Sequence, residues 1–116
     1  MNDREHAAFS HDAITEYYKE VARYSFWFDA GDESVKIHVI IKETDRGMYT
    51  YSTSHMIQTP MQAGPYSSSR RTMDTPEAAL NKAIDDLTSF YNGAVSKGHN
   101  PSAKWFVESE TFKDSY

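Results

Sequence analysis

Between Asp74 and Gly98, apolar residues recur at three- and four-residue steps: Leu80, Ala83, Ile84, Leu87, Tyr91, Ala94 and Val95. That spacing places them on one stripe of a helix, with Asn81, Lys82, Asp85, Asp86 and Ser89 turned away. The start signal is strong. Asp74 or Thr75 can cap, Pro76 suits the first helical position, and Glu77 sits where the helix dipole favours an anion. Asn92-Gly93 weakens the last turns, so the helix stops there or runs on to Gly98. Upstream the period changes to two. Tyr24, Phe26 and Phe28 alternate with Trp27. Val35, Ile37, Val39 and Ile41 alternate with Lys36, His38, Ile40 and Lys42. Alternation of this kind marks strands with one buried face.

Turn residues set the connections. Ala30 to Ser34 closes the first hairpin, and Thr44-Asp45-Arg46-Gly47 closes the second, with Gly47 able to supply a positive φ. Met48 to Gln58 reads as a third strand, Tyr49, Tyr51 and Ile57 facing the core. Pro60, Gly64 and Pro65 break pairing, after which Tyr66 to Met73 either recovers a fourth strand or stays a loop. His99-Asn100-Pro101 stops the chain after the helix, and Lys104 to Val107 is expected to dock back as a short edge strand. At the other end, Ser10 is expected to cap a helix from His11 to Arg23, with Ile14, Tyr17, Tyr18 and Val21 on one face. The order is α-β-β-β-α: an α+β domain whose antiparallel sheet of three or four strands is packed by one long helix. Its expected extent is 10–108, between a disordered stretch at 1–9 and a tail at 109–116.

Charge and composition narrow the function classes. With 12 basic and 17 acidic residues the net charge is −5, which opposes sequence-independent nucleic-acid binding. There are no cysteines, so disulfides, thiol chemistry and Cys-based zinc sites are excluded. No apolar run approaches the roughly 18 residues of a membrane span. The charged first residues do not read as a secretory signal, so a cytoplasmic location is the default expectation.

Chemistry-bearing patterns are sparse. Asp85-Asp86 are adjacent on a helix and point apart; Asp32-Glu33 sits in a turn. Strand parity places His38 and His55 on opposite faces, and no HExxH spacing accompanies them. Ser67-Ser68-Ser69 lacks a nucleophile elbow, and five scattered glycines make no phosphate loop. The expectation is therefore no enzyme, no catalytic residue, no cofactor and no metal. Arg70-Arg71 precede the long helix; with Lys36 and Lys42 they are the candidate anion or nucleic-acid contacts. Trp27 and Ile40, both given to the outer sheet face with His38, form the candidate interface, and Tyr66 is added from the irregular segment. A two-fold homodimer through that face is expected, unless the first helix covers it.

The element order matches that of double-stranded RNA-binding domains, but the first hairpin loop and the start of the long helix are acidic where those domains are basic. Asp74-Thr75-Pro76-Glu77-Ala78-Ala79-Leu80-Asn81-Lys82-Ala83-Ile84 resembles the helix start after the sheet in HicB-type antitoxins. Lys97-Gly98-His99-Asn100-Pro101 resembles that family's helix exit. The likeness covers about half the chain; the N-terminal helix, the longer 59–72 loop and the lack of a DNA-binding tail depart from it. It implies a compact sheet-plus-helix module that binds a protein partner. The leading expectation is a non-enzymatic regulatory or inhibitory module acting through protein contacts, as accessory proteins of phages and mobile elements do by analogy. A nucleic-acid-binding module is the alternative, and a small-ligand pocket between sheet and helix a third.

Overall fold

The computed structural model describes residues 1–68 and 71–113. It is an α+β structure. Strands β1 (Tyr18–Asp29), β2 (Ser34–Thr44) and β3 (Tyr49–Thr53) form an antiparallel sheet in the order β1-β2-β3. Strands β4 (His55–Ile57) and β5 (Phe106–Glu108) form a second, two-stranded sheet. Helix α1 spans Asp3–Ala8, α2 Pro76–Ser96 and α3 Glu110–Lys113.

The β2 alternation holds. Ile37, Val39 and Ile41 have no exposed surface and meet α2 in two apolar clusters. Fully burying such a side chain contributes about 1.5–3 kcal/mol each. α2 is capped by Thr75, whose hydroxyl accepts the Ala78 N–H at 3.0 Å. Its buried residues are Ala79, Ala83, Leu87 and Ala94, so the stripe is rotated from the expected one. Ile84 is only half-buried and Val95 is 40% exposed. The small alanines decide this phase: they let the helix backbone approach the sheet closely, which a face of Ile and Val would hold off. Asp86, expected to face solvent, turns inward to Tyr51.

Other expectations are corrected. No helix covers 11–23; β1 begins at Tyr18 instead. Tyr18, Val21 and Tyr24 suit a strand as well as a helix face, and pairing with β2 outweighs the local period. The N-terminal helix lies in the stretch expected to be disordered. A capping box builds it, Asn2 and Glu5 each accepting the other's backbone N–H at 2.9 Å. α1 then docks on the far end of the hairpin: Glu5 pairs with Lys19 at 2.6 Å, His6 Nδ1 meets the Tyr17 hydroxyl at 2.8 Å, and Phe9 stacks on Tyr17.

The expected third strand breaks at Ser54. Beyond it, β4 leaves the main sheet and pairs with β5, so the late strand lies in the second sheet and not along an edge of the first. Residues 66–68 and 71–73 add no strand; Met73 makes a single bridge to Tyr49, and Ser69 and Arg70 lie outside the described residues. Within the expected tail, α3 buries Phe112 at 3% exposure.

The first hairpin turn is anchored to the end of the chain. Gly31 adopts φ 93°, and a side chain there would meet Pro101 Cγ at 2.9 Å. Asp32 accepts the Ala103 N–H at 2.8 Å and the Ser102 hydroxyl at 2.9 Å, which holds its carboxyl below the usual carboxylate range. The long β1–β2 hairpin stretches the chain to 53 × 24 × 24 Å. Its radius of gyration, 16.3 Å, exceeds the roughly 13 Å of a compact domain this long.

Candidate interaction surface

Helix α2 lies over β2, β3 and β4, leaving β1 to one side. Among the described residues β1 pairs with β2 alone, so its outer side is a sheet edge. Paired residues in an antiparallel sheet share a face. Tyr24 and Phe26, opposite Val39 and Ile37, therefore lie on the α2 face; Arg23, Ser25 and Trp27, opposite Ile40, His38 and Lys36, lie on the outer face. A groove of about 480 Å3 runs between β1 and α2, lined by Tyr24, Phe26, Leu80, Ile84 and Thr88 among others. Trp27 is 67% exposed, Tyr18 49%, Tyr24 45% and Val21 40%. These side chains flank one edge strand from both sides, Tyr18 and Trp27 on the outer face and Tyr24 on the α2 face. Lys36 Nζ lies 5.9 Å from the Trp27 ring, a contact that orients the indole without covering it.

The backbone of β1 is turned to suit. Ala30 donates to the Glu33 carbonyl at 2.9 Å, closing the hairpin. The His38 carbonyl and N–H instead serve Ser54, the former accepting its N–H and the latter donating to its hydroxyl. By antiparallel alternation, Phe28, Phe26 and Tyr24 then point their backbone groups at β2, while Trp27, Ser25 and Arg23 point theirs outward.

The remaining candidates are dispersed. Ile40, expected on an open outer face beside Trp27, is 1% exposed. Phe112 of α3 stacks on the neighbouring His38, 6.4 Å between ring centroids, so the C-terminal segment closes over this part of the face. Tyr66 is half-buried, its ring 4.5 Å from that of Phe90 on α2. Lys36 and Lys42 lie on the outer face by register. Arg71 has its guanidinium 5.7 Å from the Tyr51 ring and 3.4 Å from the Tyr51 carbonyl. Arg70 lies outside the described residues. Lys42 and Arg71 border one concavity, while Lys36 lies apart beside Trp27.

A second concavity, about 350 Å3, lies where β3, β4, α2 and the segment after β4 meet. The Tyr51 hydroxyl donates to Asp86, and Lys82 Nζ lies 2.9 Å from the other Asp86 oxygen. Burial, then the Asp86 carboxylate, push the Tyr51 phenol well above its ordinary value. Ser54 Oγ accepts the His38 N–H at 2.8 Å and lies 2.8 Å from His55 Nδ1. The break at Ser54 also ends the parity that was to keep the histidines apart: His55 is within electrostatic reach of His38. Burial holds His55 below its ordinary value, with Glu108 opposing. A serine beside a histidine suggests a nucleophile. Here the Ser54 hydroxyl ties two strands together, and the residue is 9% exposed. Among the described residues no group of three His, Cys, Asp or Glu side chains could hold a metal ion, and no helix is long and apolar enough to cross a membrane.

Sequence reasoning named Trp27 but missed Tyr24 and Leu80 as surface residues, because the side on which α2 lies is not written in either period. No protein-family model matches the chain, and no characterised protein or solved structure matches it either.

Proposed function

We propose that the protein is a non-enzymatic binding module that regulates or inhibits through protein contacts, and that the outer edge of β1 is its contact surface. The observation that carries this reading is the run Tyr18, Val21, Tyr24 and Trp27 on an edge strand, beside an apolar groove. Aromatic side chains with a dry body and a polar tip are the residues that anchor interfaces. An edge strand adds main-chain hydrogen bonds to that anchoring. The net charge of −5 supports a protein over a nucleic acid as partner.

The test is affinity capture from nuclease-treated lysate of the source cells, comparing wild type with Trp27→Ala. Trp27 is 67% exposed, so the variant folds. A protein retained by wild type and lost from the variant supports the reading. Binding of DNA or RNA at physiological salt, unchanged by Trp27→Ala, overturns it.

A further inference from the structure

We infer that the β1 edge takes the same edge of a second copy, antiparallel, with Ser25 on the two-fold axis. This rests on reading β1 as the contact surface and names its occupant.

Two observations limit the pairing segment. At one end the β1–β2 register shifts between Glu20 and Ala22, so the regular edge begins at Ala22. At the other, the Asp29 carbonyl accepts the Tyr91 hydroxyl at 3.4 Å, and Phe28 packs edge-on against the Tyr91 ring. The regular edge runs from Ala22 to Phe28, and its midpoint is Ser25.

That register is self-complementary. On the α2 face it sets Tyr24 opposite Phe26 of the second copy and Ala22 opposite Phe28. On the outer face it sets Arg23, whose guanidinium is paired with Glu20, opposite Trp27. Ser25, small and uncharged, meets itself, and no like charges stand opposite. Shifting the axis to Arg23 would oppose two guanidinium groups; shifting it to Tyr24 would place Trp27 opposite the irregular residue Val21. Shifting it to Phe26 would require the Asp29 carbonyl that Tyr91 already engages. Every such pairing with the axis normal to the sheet keeps both α2 helices on one face. Two three-stranded sheets then become one of six, and Tyr24 and Phe26 of the second copy lie at the mouth of the groove beside Ile84. A Tyr or Trp can bury on the order of 150–250 Å2. Only the exposed fractions, 45% of Tyr24 and 67% of Trp27, remain to be buried, on the order of 170–280 Å2 of the roughly 800 Å2 per partner in a standard interface, and the rest must come from the paired backbone and its neighbours.

Because the axis residue meets its own copy, charge swapping tests both partner and register. Sedimentation equilibrium of wild type is expected to show a monomer–dimer equilibrium. Ser25→Lys and Ser25→Asp, each alone, are expected to sediment as monomers, and their equimolar mixture to recover the dimer mass. A wild type that stays monomeric at the highest concentration overturns the assignment; capture that still depends on Trp27 would show that the failure concerns the occupant alone. A Ser25→Lys variant that dimerises as wild type does overturns the register. Hydrogen exchange on wild type needs no substitution: the Ser25 and Trp27 amides are expected to lose protection on dilution, and concentration-independent exchange counts against the pairing.

Discussion

Leu87 tests the phase of the helix directly. It is 2% exposed and packs in the cluster that holds Ile37, Ile57, Trp105 and Phe106. Leu87→Ala removes buried methyl groups and leaves a cavity that surrounding rings fill only partly, at a cost of about 2–5 kcal/mol. Unfolding entropy near 2.1 cal/mol/K per residue amounts to about 0.24 kcal/mol/K for a chain of this length. A loss of about 3 kcal/mol therefore lowers Tm by roughly 12 °C. Val95 belongs to the same apolar period in the sequence but is 40% exposed. Val95→Ala gives up little packing and gains helix propensity, so its effect stays within about 0.5 kcal/mol, or roughly 2 °C. Urea denaturation followed by far-UV circular dichroism measures both, at one protein concentration because self-association would shift the midpoint. Equal losses for the two variants would show that the stripe faces the sheet as its period suggested, and would refute the rotated phase.

Three further outcomes follow from other contacts. Because burial holds His55 below its ordinary value, the unfolded chain takes up that proton first as pH falls. The contribution of His55 is fully present above about pH 6.5 and declines below it; His55→Gln should flatten the fall in Tm between neutral and mildly acidic pH, and an unchanged slope would rule out this group. Tyr51→Phe removes the hydroxyl donor to Asp86 and should cost roughly 1.5–3 kcal/mol by denaturant titration, whereas no loss would mean the bond adds nothing to stability. Gly31→Ala should cost roughly 1–2 kcal/mol or more, from φ 93° together with the Pro101 contact, while Gly64→Ala, with open space around it, should be near neutral; similar melting temperatures for the two would contradict the docked turn.

Periodicity and end signals in the sequence determine the long helix, the second strand and the latter half of the first with their turns, and the α+β class. Thr75-Pro76 starts α2, Gly47 turns the second hairpin at φ 76°, and the β2 alternation buries Ile37, Val39 and Ile41. These are short-range effects, decided by backbone sterics and by which side chains avoid water. Tertiary structure decided what depends on distant partners. Tyr18 to Arg23 fits either a helix face or a strand until β2 is available to pair with it. Ser54 looks like one more strand residue until His38 claims both its backbone and its hydroxyl, and β4 leaves with β5. The α2 stripe contains too many apolar residues to fix its own phase. Close contact with the sheet selects the alanines and Leu87, and Val95 is left in solvent. The candidate surface depends most on such choices. Trp27 stays exposed and Ile40 is buried, although both belong to the outer face, because α3 brings Phe112 onto His38, beside Ile40, while Trp27 lies nearer the hairpin turn. Coverage of a face is a contact between segments far apart in the chain, and no local pattern encodes it.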